Sequence, residues 1–312
     1  MKRKIIIITG ATATGKSSFA IDLAQKISGE IINADVGSFY KPLTIGTAKP
    51  NWKNGLVRHH LFDILRQPGD YTVTQFRHDV EKLCSEIWQR GKVPIVVGGS
   101  AFYIRSLFYK QPEIEVSQAY VQKLEATLVP SQQLWNDLRS IDQQRAYRID
   151  PHDRYRIIRA LAIFQGTGKQ PSYFEQTFDP LASFLFIECV ADRLSLYDRI
   201  DKRVEEMMHA GWVDEVKKLQ DTEWESFLLR KKIIGYDDIL KMVQKEQNSA
   251  EVVSKIQQKT RNYAKRQITF LKKLKKELLA EVFPANIVGK VEQIDLTLCD
   301  VGLYISQLLS NF

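Results

Sequence analysis

The chain has 312 residues, of which 44% are hydrophobic and 26% charged, with a formal net charge of +8. That length allows two domains, or one large α/β domain carrying an insertion, and the composition is that of a soluble globular protein with a sizeable core. No apolar run approaches the roughly 20 residues of a membrane helix. The start, Met1-Lys-Arg-Lys, leads straight into a hydrophobic strand. That leaves no room for a targeting peptide and gives the expectation of a cytoplasmic protein. Cys84, Cys189 and Cys299 are isolated and lack metal-ligand spacing, so they read as small buried hydrophobes in a reducing compartment. The positive balance admits a polyanionic partner, and its distribution along the chain has to decide.

The first predicted element is a strand at Ile5–Ile8, followed at once by Gly10, Ala11, Thr12, Ala13, Thr14, Gly15, Lys16 and Ser17. This is a complete G-x-x-x-x-G-K-[ST] pattern, and a helical spacing of Phe19, Ala20, Leu23, Ala24 and Ile27 follows it. Strand, glycine loop and helix together suit a diphosphate: backbone N–H groups wrap it, Lys16 neutralises charge and Ser17 offers a hydroxyl to Mg²⁺. A second strand, Glu30–Ala34, ends in Asp35, which points toward the ligand crevice of an open α/β sheet. On position alone Asp35 reads equally as a Mg²⁺-network residue, a general base or a turn acid. A loop with Gly37, Pro42, Gly46 and Pro50 leads to His59 and His60, whose contacts are expected to be with the protein itself rather than with a shared metal.

A helix is predicted over 74–90, with Phe76, Val80, Leu83, Ile87 and Trp88 on one face, and a strand at Val93–Val97 running into Gly98-Gly99-Ser100. A Walker-B acid at that strand end would mark a conventional ATPase, and glycine stands there instead. Residues 113–182 break the pattern: short helices are punctuated by Pro130, Pro151, Pro171 and Pro180, and Arg145, Arg148, Arg154, Arg156 and Arg159 cluster there. The expected organisation is an α/β P-loop NTPase-like parallel sheet with helices on both faces (1–112 and 183–312) and a helical insertion domain (113–182). A core strand returns at 184–190, then helices at 194–210, 213–220 and 252–279. Arg199 and Arg203 share a helix face and suit a phosphate clamp, or equally ion pairs with nearby acids. The last helix carries Lys265 and Arg266 in a run nearly free of acids, with Tyr263 and Phe270 interleaved, which suits nucleic acid. The chain after Phe283 reads as apolar enough to pack back onto the core.

In order along the chain, the P-loop octet, Asp35 with Tyr40, Ile45–Pro50, His59–Asp63, Val97–Ser100 with Tyr103, Arg148–Asp153, Arg156–Leu161, Arg199–Arg203, Ile234–Tyr236 and Thr260–Gln267 resemble the bacterial tRNA dimethylallyltransferase (tRNA isopentenyltransferase) family. The resemblance covers about residues 4–275. It implies transfer of a dimethylallyl group from dimethylallyl diphosphate to N6 of adenosine 37 in tRNAs reading UNN codons. It also implies an Mg²⁺ cofactor on Ser17, the anticodon stem-loop of tRNA as partner, no membrane, and a monomer. By resemblance the catalytic residues are Asp35 as base, Lys16, Arg203 and Ser100. The diphosphate falls to Gly10–Ser17 with Arg203, Thr12 matching a substrate-contacting threonine. The tRNA falls to Asp35, Val36, Gly37 and Ser38, to Tyr155, Arg156, Ile157, Ile158 and Arg159, and to Lys265, Arg266 and Gln267. The chain departs from the family at Ala11, where proline is usual, and at Val36, where serine is usual. The rival readings are an adenylate isopentenyltransferase acting on free AMP, ADP or ATP, a P-loop metabolite kinase, and a tRNA-binding paralogue without activity.

Overall fold

The computed structural model describes residues 3–53, 55–112, 114, 116–245 and 248–311. Met1 and Lys2 of the basic start and the expected boundary residue Glu113 lie outside the described residues. The isoleucine run forms β1 (Lys4–Gly10), buried from Ile5 onward. Such unalternating burial is what a strand covered on both faces requires. Gly15 takes a left-handed conformation (φ 87°) and launches α1 (Lys16–Lys26) directly. β2 (Gly29–Asn33) follows, then β3 (His59–His60), so the two histidines lie in a short strand.

α2 (Val73–Gln89) opens on a capping box in which Thr72 and Gln75 satisfy each other's backbone N–H groups. β4 (Val93–Gly98) and α3 (Ala101–Ser106) complete the first half. The chain then forms β5 (Tyr109–Lys110), α4 (Gln118–Ala126), α5 (Ser131–Ile141), α6 (Gln143–Tyr147), α7 (Arg154–Thr167) and β6 (Thr177–Phe178). It returns as β7 (Ser183–Val190), α8 (Arg193–His209), α9 (Trp212–Lys217), α10 (Glu223–Lys231), α11 (Tyr236–Lys245) and α12 (Ser249–Ala280), and ends in β8 (Gly289–Asp295) and α13 (Val301–Asn311).

Two compact units result, residues 1–108 with 180–312, and residues 109–179. In the first, the described residues form a six-stranded sheet in the order β3-β2-β4-β1-β7-β8, every pairing parallel. Because all strands run the same way, the segments after β1, β2 and β4 emerge at one edge of the sheet, where ligands bind in such folds. β8 pairs with β7 from Phe184↔Gly289 to Val190↔Asp295. It carried no hydrophobic signal because it is an edge strand in which Ile294 alone is buried. Gly289 is required where it lies: a Cβ there would stand 2.6 Å from the Phe184 ring.

The second unit is built around α5 and α7, with Leu134, Trp135, Leu138, Ile157, Ile158 and Leu161 in its core. Trp135 Nε1 donates to the carbonyls of Ala146 and Ile149, 3.0 Å each. The Arg154 guanidinium caps the end of α4, donating to the carbonyls of Leu124, Thr127 and Val129 at 2.9, 2.8 and 2.6 Å. Among the described residues no helix is long and apolar enough to cross a membrane.

Candidate active site

The P-loop is held from inside and from behind. Gly10 lies so close to the next strand that a Cβ would meet the Cys189 carbonyl oxygen at 2.3 Å. Thr14 Oγ1 donates to the Ala11 carbonyl at 2.9 Å, and Lys16 Nζ reaches the same oxygen at 3.2 Å. Ala11 and Ala13 pack with Leu196 and Ile200 of α8 and Ala264 of α12. The alanine at position 11 therefore has an apolar floor of its own. Lys16 is buried, and its ammonium pKa is lowered by that burial; the charge of Asp35 opposes the shift and Arg203 adds to it.

Asp35 follows β2 and caps a short 3₁₀ turn over Val36–Phe39, its carboxylate accepting the Gly37 N–H at 3.3 Å. Asn33 braces it: the side-chain oxygen accepts the Asp35 N–H at 2.9 Å, and Nδ2 donates to the carbonyls of Asp35 (3.1 Å) and Leu61 (2.9 Å). Ser100 Oγ accepts the Val36 N–H at 3.0 Å. Ser100 thus supports the loop that presents Asp35. The Val36 side chain packs against the apolar cluster around Tyr40 and Trp212. Ser38 is buried, its carbonyl accepting the Asp63 N–H at 3.1 Å.

Residues 44–50 form one wall, and the sequence explains why that block is so constrained. The Glu215 carboxylate accepts the N–H groups of Thr44 (3.0 Å), Ile45 (2.8 Å) and Gly46 (3.3 Å) and the Tyr236 hydroxyl (2.6 Å). Gly46 presses on the Trp212 indole, where a Cβ would stand 2.0 Å away. Lys49, its side chain only 2% exposed, bonds the Tyr40 carbonyl at 2.7 Å and Asp63 at 2.6 Å. Burial lowers the Lys49 pKa and the Asp63 carboxylate opposes that shift.

These parts enclose one cavity of about 80 Å³. Thr12, Lys16, Ser17 and Arg203 line it with cations and hydroxyls, and Asp35 and Ser38 line it from the β2 end. Ala20, Ile21, Ile31, Phe62 and Val97 give it an apolar lining. Ile31 and Asn33 share a face of β2, Asp35 follows beyond the strand's end, and all three line the cavity. The cavity thus combines cationic and hydroxyl groups with an apolar lining. Arg203 has no salt bridge among the described residues, and burial lowers its pKa. Arg199, the other half of the expected clamp, does not line the cavity.

Several sequence expectations need correction. Ile157 and Ile158 are 0% and 3% exposed, in the core of the second unit, so their side chains cannot meet RNA. Tyr155, Arg156 and Arg159 lie on the exposed side of the same helix. Gln267 is 3% exposed and bonds the P-loop rather than facing solvent. The acid-free run on α12 is not unpaired in three dimensions. Lys255 and Lys259 meet Asp238, Arg261 meets Asp201, and Lys275 meets Glu188, all from other elements. Lys265 and Arg266 are exposed and have no salt bridge among the described residues. Tyr263 is half-buried beside Ser100 and Gln267, and the Arg266 guanidinium lies over its ring at 5.9 Å; burial raises its pKa, and the charge of Asp35 raises it further. His60 bonds Glu30 at 2.7 Å and His59 bonds the Val57 carbonyl at 2.8 Å, so both contact the protein itself, while His59 also lines the cavity. Glu215 and Gln267 as loop anchors were not foreseen, because single polar residues inside amphipathic helices carry no local signal of what they reach.

Comparison with known proteins places this geometry. The IPP transferase family model matches residues 38–274. The chain belongs to that family. A tRNA dimethylallyltransferase of a Thermoanaerobacter species is 35% identical, covering 87% of this chain and 90% of the relative. One from Citrifermentans bemidjiense, named tRNA dimethylallyltransferase 1, is 39% identical with the same coverage. Among solved structures, the tRNA delta(2)-isopentenylpyrophosphate transferase of Staphylococcus epidermidis is 28% identical with a TM-score of 0.63, covering 99% of each chain. A eukaryotic dimethylallyltransferase described as acting on tRNA is 29% identical with a TM-score of 0.74, over 92% of this chain and 74% of that one. The P-loop NTPase-like core read from the sequence is thus the fold of this family member.

Proposed function

We propose that this protein transfers a dimethylallyl group from dimethylallyl diphosphate to N6 of adenosine 37 in tRNAs that read UNN codons, releasing diphosphate. The observation that carries the reading is a single cavity in which Lys16, Ser17 and Arg203, an apolar lining and the Asp35 carboxylate meet. A phosphoryl donor needs the first of these features and not the second. The names of the relatives favour a tRNA acceptor over free AMP, ADP or ATP, and a prenyl transfer over a kinase reaction.

The steps follow from charge. As the allylic C1–O bond breaks, negative charge grows on the departing diphosphate oxygen, where Lys16 and Arg203 offset it. The N6 nitrogen forms the new bond to C1, and Asp35 takes the proton that nitrogen sheds. The exocyclic amine is a weak nucleophile, so proton removal concurrent with attack is what makes the bond worth forming. The adenine leaves its stack to reach the cavity. Among the described residues no cluster of three His, Cys, Asp or Glu could cage a metal ion. The exposed Ser17 hydroxyl beside a diphosphate fits Mg²⁺, which takes few protein ligands and uses substrate oxygens. Bound there, the ion would neutralise charge on the leaving group. Exposed Tyr155, Arg156 and Arg159 on α7, and Lys265 and Arg266 on α12, would carry contacts to the anticodon stem-loop.

The test is incubation with labelled dimethylallyl diphosphate and either unmodified tRNA or AMP, with and without Mg²⁺. Label is expected in tRNA only and to depend on the metal. Label in AMP, or γ-phosphate transfer from ATP without prenylation, refutes the reading.

A further inference from the structure

Gln267 stands in the basic helix α12, next to exposed Lys265 and Arg266, and is itself 3% exposed. Its carboxamide spans two loops. Oε1 accepts the Thr12 N–H of the P-loop at 3.0 Å, and Nε2 donates to the Gly99 carbonyl at 2.7 Å. The fit is close: a Cβ at position 99 would stand 2.4 Å from Nε2. The loops so clasped follow β1 and β4. One carries Lys16 and Ser17. The other leads to Ser100, whose Oγ holds the Asp35 loop at Val36. The two arms ask for opposite chemistry, an acceptor toward Thr12 and a donor toward Gly99. A neutral amide supplies both, and so does a protonated carboxylic acid of the same length; an ionised carboxylate cannot, because it only accepts.

We propose that Gln267 is a positioning residue of the diphosphate site, which locks the P-loop to the Gly99–Ser100 turn and so keeps the leaving-group half of the site in register with Asp35, and that it is not an RNA contact. This rests on the reading of the cavity as a prenyl diphosphate site. α12 then has two faces with separate tasks: Lys265 and Arg266 outward, Gln267 inward.

The chemistry of the two arms sets the test. The full chain, Gln267→Glu and Gln267→Ala are compared for binding of inorganic diphosphate with Mg²⁺ by titration calorimetry, and for binding of tRNA by filter retention, at about pH 8 and about pH 5.5, on either side of a buried glutamic acid's titration. At the higher pH, Gln267→Glu sets a carboxylate against the Gly99 carbonyl, and diphosphate affinity falls about tenfold relative to wild type. At the lower pH the protonated acid restores both bonds, and affinity returns to within about threefold of wild type at the same pH. Gln267→Ala is about tenfold weaker at both pH values. tRNA affinity stays within about twofold throughout, as expected for a group that touches no phosphate.

Absence of the pH-dependent recovery in Gln267→Glu, or loss of tRNA affinity with diphosphate affinity intact, overturns the proposal. Should Gln267→Glu fail to fold, wild-type diphosphate affinity in Gln267→Ala overturns it equally. A wild-type protein that binds diphosphate but does not prenylate tRNA sinks the functional reading alone, since the Gln267 comparison uses diphosphate and no prenyl donor.

Discussion

Replacing Glu215 by Gln asks how firmly the 44–50 wall must be held for the cavity to work. The carboxylate oxygens accept four hydrogen bonds, two from Thr44 and Ile45 on Oε2 and two from Gly46 and Tyr236 on Oε1. The amide keeps one accepting oxygen and turns the other into an NH₂ that faces two donors. Two bonds to a charged acceptor are lost, and two exposed or part-buried donors face the NH₂ in their place. At about 1–2 kcal/mol for each such loss, and allowing for relaxation of the loop, the change costs about 2–4 kcal/mol. For a chain of this size that is a fall in melting temperature of roughly 3–6 °C.

Thr47, Ala48 and Pro50 line the cavity. The variant should therefore also raise the KM for the prenyl donor several-fold more than the KM for tRNA. Thermal unfolding followed by circular dichroism, with steady-state kinetics in both substrates, measures the two effects. A variant that melts within about 1 °C of wild type, or one in which both KM values rise together, would show that Glu215 does not hold this wall in the way described.

Asp35→Asn removes the proton acceptor while keeping the loop's shape; transfer should fall by about 10²–10⁴-fold with tRNA affinity nearly intact, as single-turnover and filter-binding assays would register. Lys265→Ala combined with Arg266→Ala should weaken tRNA binding and flatten the slope of log affinity against log salt by up to about 1.5, read from a salt titration. Gly46→Ala forces a methyl into the Trp212 ring and should destabilise the fold by about 1–3 kcal/mol in urea unfolding. Glu30 gives a pH prediction. Burial pushes its carboxyl pKa up, but hydrogen bonds from Arg90 and His60 outweigh that and hold it at about 2 against an ordinary 4.5. A lowered carboxyl pKa stabilises the fold fully above the unfolded value and is lost as pH falls from about 4.5 toward 2. Discounted for the one-third exposure of Arg90, the loss is about 1–2 kcal/mol, and acid titration of Glu30→Gln should lack it.

What could be read in advance was whatever had a local signature. The run at Ile5–Ile8, the glycine loop behind it and the 3.6-residue spacing of α2 each state their structure within a dozen residues. β8 did not, because an edge strand with Ile294 as its one buried side chain has no apolar pattern to show. The basic face of α12 misled for a related reason. Charge counted along one helix ignores the acids that other helices bring, and Asp237 and Asp238 of α11 reach Lys259 across about twenty residues of sequence. Of the site itself, Lys16 and Asp35 were visible as chemistry, while the residues that aim them were not.

That difference bears on why, in the function proposed above, the loop that holds ATP elsewhere would hold a prenyl diphosphate. The phosphate-binding parts, Lys16 and Ser17, are common to both uses. What departs is the surround. The strand end where a Walker-B acid would stand is Gly98, and a Cβ there would lie 2.2 Å from the Ala34 carbonyl, so no side chain fits at all. The acid is instead on the neighbouring strand, at Asp35, set beside an apolar lining from Ile31, Phe62 and Val97. Moving the carboxylate one strand over takes it from the metal of a phosphoryl transfer to the side of the cavity from which an amine would approach a carbon. Asn33 and Ser100 hold it in that place. On the mechanism proposed above, the leaving group is thus set by the P-loop, and the attacking atom by where Asp35, the one acid lining the cavity among the described residues, lies.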